Sequence, residues 1–236
     1  MLFRSGKVVQ NVRLADVQSV PAAGFIDPLD VEGIANTDLI AGHGTFVSGI
    51  IAGSGAASGG KYSGVAPGAR LLGLSAGDVD LTHVLSGFDY LLDKGGLYNV
   101  RAVNCSFSAN TVYDQNDPVN IATRMLTDRG ISVVFSAGNA GPGNDTLNPY
   151  AQAPWVVGVG ATDQNAALAP FSSRGNFGNG SPTVVAPGVN VAGLRSVITT
   201  TSVGGVAGAD TQRLSPGELP FYTTASGTSF SAPQVT

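Results

Sequence analysis

The chain of 236 residues has little of what usually announces chemistry: one cysteine and two histidines. A lone cysteine forms no internal disulfide and no cysteine-based zinc site, and two histidines leave little for a histidine metal cluster. Charge is also sparse. Asp, Glu, Lys and Arg make up 12% of the residues, about half the usual share. No Lys/Arg block exists to track phosphates, and net charge is −4 with a pI near 4.9, so nucleic acid is not an expected partner. No apolar run approaches the roughly 18 residues that cross a bilayer, which excludes a helical membrane span. Met1 to Arg4 lack the basic-then-apolar pattern of a secretory leader. What the chain does have is glycine, 33 residues of it, about twice the average. With 43% apolar residues and a mean hydropathy of +0.18, wholesale disorder is excluded and a loop-rich globular domain is expected.

Strand-like and helix-like patterns alternate along the sequence. Arg70–Leu74 reads as a strand, as does Val100–Cys105. Asp80–Asp93 predicts a helix, because Leu81, Val84, Leu85, Phe88, Leu91 and Leu92 recur at three- and four-residue spacing before Gly95-Gly96. Asp117-Pro118 caps and opens a second helix with the stripe Val119, Ala122, Met125 and Leu126, closed by Gly130. Ile131–Phe135 and Trp155–Val159 are continuous apolar runs, as expected for strands buried on both faces. Such alternation predicts an α/β fold, a parallel β-sheet with helices on both faces, whose chemistry sits in loops at the carboxyl ends of strands. Gly53–Gly64 and Ser196–Ser215 read as surface loops. Neither a repeat nor a linker divides the chain, so residues 1–236 are expected to form one domain.

Three stretches could carry chemistry. His43-Gly44-Thr45 opens a run in which Phe46, Val47, Ile50 and Ile51 share a helical face, with the small residues Gly49, Ala52 and Gly53 around them. A histidine in the first turn of a buried helix is held rigidly, as a general base requires, although a capping or core histidine has the same pattern. Asn139 follows Ser136-Ala137-Gly138 at the end of the apolar strand. Its amide could donate to a developing oxyanion or could merely form a turn. Gly227-Thr228-Ser229-Phe230-Ser231-Ala232-Pro233 places Ser229 where a helix begins, with Pro233 pinning that start near Ser229. A plain Ser/Thr helix cap would look similar.

Taken together and in order, these stretches resemble the subtilisin-like serine proteases, the subtilases. Gly64–Ala69, Val103–Ser106, Phe171–Gly175 and Ala186–Val189 are similar to the family's connecting segments, so the resemblance covers residues 7–236. It implies a subtilisin-like fold and a serine endopeptidase acting on polypeptides through an acyl-enzyme, in an extracellular or cell-envelope setting. Residue by residue, Ser229 matches the nucleophile, His43 the general base, and Asn139 with the Ser229 backbone N–H the oxyanion hole. Ser106, Phe107 and Ser108, with Ser136, Ala137 and Gly138, match the segments that hold the substrate, which would pair with them like an added strand. Neither segment carries an acidic residue, so a large apolar side chain is expected before the scissile bond.

One part of the family pattern is missing. The acid partner of the histidine is an Asp ending an early apolar strand, usually before Ser/Thr-Gly, and no such element is present. Asp16, Asp27, Asp30 and Asp38 precede His43, but Lys7–Asp16 is similar to the strand that follows the family's Asp. The expectation is therefore a domain lacking the catalytic-Asp strand at one end and the rest of the nucleophile helix at the other. No carboxylate of this chain should lie within about 3.2 Å of the His43 ring nitrogen that faces away from Ser229. An inactive, peptide-binding or structural module of the same fold is the alternative. A carbohydrate-binding β-domain is excluded by the helical stripes at 81–92 and 119–126. No cofactor is required for the chemistry; the family often binds calcium, yet no clustered carboxylate loop is visible. Cys105 sits within a strand run and is expected to be an inert buried thiol, and His83 is expected to be solvated.

Overall fold

The computed structural model describes residues 6–14, 30–38, 41–76, 80–176, 182–196 and 208–236. Four parallel strands, β4 (Ala102–Cys105), β5 (Ser132–Ser136), β6 (Val157–Thr162) and β7 (Val184–Pro187), lie side by side in that order. A second sheet has β1 (Val8–Leu14) at its centre, parallel to β3 (Leu71–Ser75) and antiparallel to the two-residue β2 (Asp30–Val31). Strands β8 (Val191–Leu194) and β9 (Tyr222–Ala225) form an antiparallel pair. No helix among the described residues is long and apolar enough to cross a membrane.

Period-two alternation along β5 explains the layers. Val133 and Phe135 point to a core shared with Val84, Phe88 and Leu91 of α2 (Leu81–Lys94) and Val119 and Leu126 of α3 (Pro118–Asp128). Val134, between them, points the other way and meets Val159 of β6, Ala186 of β7 and Ala232 of α5 (Thr228–Val235). A strand covered by helices on both faces is apolar where both layers reach it, which accounts for the buried run Val133–Phe135, while Ser132 at its start is exposed. Burying a side chain such as Phe135 stabilises the fold by about 1.5–3 kcal/mol. Both helix starts predicted from Asp are present: Asp80 accepts from the Thr82 N–H, and Asp117 accepts from the Val119 N–H with Pro118 in the first turn.

α1 (His43–Ala52) packs against β8 at unusually short range. A Cβ on Gly49 would lie 2.5 Å from Leu194 Cγ, and one on Gly193 would lie 2.7 Å from the Phe46 ring. Small residues at these two positions therefore let the histidine helix lie flat on the hairpin that leads into Ser229.

Three expectations shift. β6 begins at Val157 because Trp155 turns aside, donating its Nε1–H to Thr123 Oγ1 at 3.0 Å. The stretch 196–215 is not all surface loop. Residues 197–207 lie outside the described residues, but α4 (Gly208–Arg213) buries Asp210 completely. Arg195 pairs with Asp210 at 2.7 Å, while Thr223 and Thr224 donate to it. Burial pushes the Asp210 carboxyl up, but these hydrogen bonds outweigh it and hold the group below the usual aspartate range. His83 is not solvated either: both ring nitrogens are shut off from solvent with no partner among the described residues. It lies one turn before Gly87, whose helix face meets Leu14 and Leu74.

Candidate active site

His43 is the first residue of α1, and the helix start is organised by Asp38. Gly42 takes the left-handed conformation (φ 73°) that lets the chain turn into the helix, and it offers no side-chain cap. Asp38 supplies the missing acceptors: its carboxylate takes the Gly42 N–H at 3.1 Å and the Thr45 N–H at 2.7 Å. A negative charge at a helix N-terminus is itself favourable. His43 is half-buried beside Phe230, with ring centroids 5.7 Å apart. Burial lowers the imidazole from its ordinary value, and the nearby Asp38 charge offsets part of that. Among the described residues, no carboxylate forms a hydrogen bond or ion pair with the ring; Asp16 and Asp27 lie outside them.

Ser229 is the second residue of α5, which packs against α1, and the neighbour of Ser229, Phe230, is the residue whose ring meets that of His43. Ser229 and His43 do not share a hydrogen bond here. The Ser229 hydroxyl instead donates to the Ser106 carbonyl at 3.4 Å. The helix starts one residue earlier than predicted, at Thr228, which leaves Pro233 inside it rather than at its opening.

Asn139 reaches the same helix start from the end of β5. Its Oδ1 accepts from both the Thr228 N–H (2.8 Å) and the Thr228 hydroxyl (2.9 Å). Two donors on one atom fix which end of the amide is oxygen. Nδ2 is thereby turned outward, near Gly227 and exposed, with no acceptor among the described residues. An N–H donor held in this way beside the first turn of a helix is suited to receiving negative charge.

The two substrate segments differ in what they can offer. Within 136–138 the backbone is already engaged: Ser136 O with Asn148 Nδ2, Ala137 N–H with Val159 O, and Gly138 N–H with Thr228 Oγ1. Ala137 O and Gly138 O accept from the Asn148 and Ser173 N–H groups. These bonded groups are closed to strand addition, and the side chains of Ser136 and Ala137 are buried. In 106–108, by contrast, the Ser108 N–H and C=O bond to no described residue, and Ser108 is exposed. Asn148, 2% exposed, ties the segments together, its Nδ2 donating at 2.8 Å to both Phe107 O and Ser136 O. Cys105 is excluded from nucleophilic work, since complete burial pushes its thiol far up.

Thr228, Asn148 and Asn104 were not singled out by sequence reasoning. Thr228 lay within the Gly-Thr-Ser stretch and could have been questioned there; the role of Asn148 depends on two carbonyls distant in sequence and had no local signal.

The chain matches the Subtilase family over residues 25–236. It is 33% identical over 178 residues to "Serine protease AprX" of Bacillus subtilis (strain 168), covering 66% of this chain and 39% of that protein. With "Subtilisin BL" of Lederbergia lenta it shares 33% identity over 150 residues, 64% of this chain and 52% of the relative. The chain thus spans about two-fifths to half the length of these relatives. Among solved structures, "Sphericase" superposes with a TM-score of 0.62 at 24% identity, covering 83% of this chain and 61% of that one. "Structure of Patellamide maturation protease PatA" gives 0.60 at 24% identity, covering 84% and 64%. These structural likenesses speak to the fold, and the match through the helix that carries Ser229 speaks to descent: the chain belongs to the subtilase family.

Proposed function

We propose that this chain supplies the catalytic core of a serine endopeptidase. Ser229 Oγ attacks the carbonyl carbon of a peptide bond while His43 takes the hydroxyl proton. The resulting oxyanion accepts from Asn139 Nδ2 and the Ser229 backbone N–H. The C–N bond then breaks, His43 returns its proton to the departing amine, and an ester to Ser229 remains. Water activated by the same histidine hydrolyses that ester. An extended substrate docks along Ser106–Ser108, with residues 136–138 walling the pocket before the scissile bond. The absence of acidic residues from either segment favours a large apolar side chain there.

The observation that carries this reading is the double clamp of Thr228 on Asn139 Oδ1, which leaves the amide NH2 without an acceptor among the described residues beside the Ser229 helix start. The acid that would orient His43 is assigned to a residue outside the described ones, because no described carboxylate reaches the ring.

That same lack supports a second reading, an inactive peptide-binding module. Hydrolysis of a casein or peptide library by the full-length protein distinguishes them. The proposal expects turnover that Ser229→Ala abolishes. Peptide binding without turnover, unaffected by Ser229→Ala, would establish the module instead.

A further inference from the structure

Pro233 sits inside α5, four residues after Ser229. A proline has no N–H, so the Ser229 carbonyl loses its regular helical donor, and the ring pushes that carbonyl away from the helix axis. A half-buried carbonyl in this position requires another partner. The Ser106 hydroxyl is that partner, donating to Ser229 O at 2.8 Å. Its direction is not left to chance. Asn104 Nδ2 donates to Ser106 Oγ at 2.9 Å, so the serine oxygen is already an acceptor on that side and its own proton is left for Ser229. The Thr236 hydroxyl lies 3.2 Å from Asn104 Oδ1 and 3.1 Å from Ala232 O, and its one proton is shared between these two acceptors.

We propose that Ser106 is a positioning residue for Ser229. Through the hydroxyl-to-carbonyl bond that Pro233 makes necessary, it latches the nucleophile's backbone to β4 and so fixes where the Ser229 N–H and Oγ stand. The role rests on the reading of Ser229 as nucleophile, and it is distinct from the backbone contacts that 106–108 would make with a substrate. The latch also couples the two: the segment on which the peptide docks is bonded to the residue that attacks it. A displacement of about 1 Å at such a place can slow reaction by roughly a hundredfold.

The test is a double-mutant cycle on the full-length protein, read by the rate of fluorophosphonate uptake at Ser229 and by unfolding temperature. Ser106→Ala should slow uptake by about tenfold or more, as the orphaned carbonyl and freed backbone cost the geometry. In a Pro233→Ala background the helix regains its own N–H donor, so the same substitution should cost less than about threefold relative to Pro233→Ala alone. Asn104→Asp keeps the side-chain shape but turns the donor into an acceptor that draws the Ser106 proton, and it should reproduce the loss. With a peptide substrate, Ser106→Ala should lower kcat more than it raises KM.

Equal penalties in the two backgrounds would overturn the latch, as would a loss confined to KM. Should the unsubstituted protein take up no phosphonate at Ser229, it is the nucleophile assignment that fails. The unfolding temperatures then judge the latch alone, and additive shifts would overturn it.

Discussion

Thr228→Val removes a hydroxyl from a side chain that is 0% exposed while keeping its shape. In the structure that hydroxyl donates to Asn139 Oδ1 at 2.9 Å and accepts from the Gly138 N–H at 3.1 Å. Each neutral hydrogen bond contributes about 1 kcal/mol net, and an N–H left without an acceptor costs about 1–3 kcal/mol more. The Gly138 side of the site is only partly buried, which places its penalty at the low end. The expected loss is about 2–3 kcal/mol, or roughly 5–10 °C in Tm for a chain of this size. Asn139 keeps the Thr228 N–H as a donor but loses the second bond that fixes its amide. Phosphonate uptake should therefore slow by roughly tenfold, less than the 10²–10³ that follows from removing an oxyanion donor outright. Calorimetry and a labelling time course measure both effects, and Thr228→Ser, which keeps the hydroxyl, should lose far less of each. A Tm within about 1 °C of the parent would refute the energetic reasoning. An unchanged labelling rate would refute the link from Thr228 to Asn139.

Asn139→Ala should lower kcat by about 10²–10³ with little change in KM; a loss mainly in KM would make Asn139 a binding or structural residue. Asp210→Asn leaves the Arg195 guanidinium, itself only 7% exposed, without its counter-charge, and chemical denaturation should register a loss of about 3–5 kcal/mol, whereas a loss below about 1 kcal/mol would contradict a structural role for the pair. As general base, His43 must be neutral, and burial lowers its pKa below 6.5, so labelling should rise with pH through a midpoint on the acid side of that value. Near that pH the folded state binds fewer protons at His43 than the unfolded chain does. The stability it contributes is therefore present above 6.5 and declines on acidification between the ordinary value and the lowered one. Asp38→Asn removes the charge that partly offsets burial and should move the labelling midpoint further down; a move upward would contradict the assignment.

The layers were legible because they are written in spacing. The stripe from Leu81 to Leu92, the Asp-Pro opening at 117–118 and the apolar run at 131–135 each express a local rule, and each element formed within a residue or two of its expected limits. Where the sequence misled, polar partners distant along the chain had decided the outcome. Asp210 is buried because Arg195, Thr223 and Thr224 converge on it, and no hydrophobic pattern could disclose that. Pro233 looked like a marker of the helix start, yet it lies further in, and the Ser229 carbonyl that it leaves without a helical donor accepts from Ser106, 123 residues away. His43, Ser229 and Asn139 came from short motifs and a family resemblance. What no motif could give was the partners around them: Asp38 at the helix start of His43, Thr228 on Asn139, and Ser106 on the Ser229 carbonyl.

The measurement that bears most directly on the central claim is the site of phosphonate attachment. The full-length protein would be treated with a fluorophosphonate, digested, and its peptides mapped by mass spectrometry. The account predicts a single adduct, on Ser229, that is lost on heat unfolding before treatment and absent from Ser229→Ala. An adduct on Ser226 or Ser231, or labelling that persists in Ser229→Ala, would contradict it.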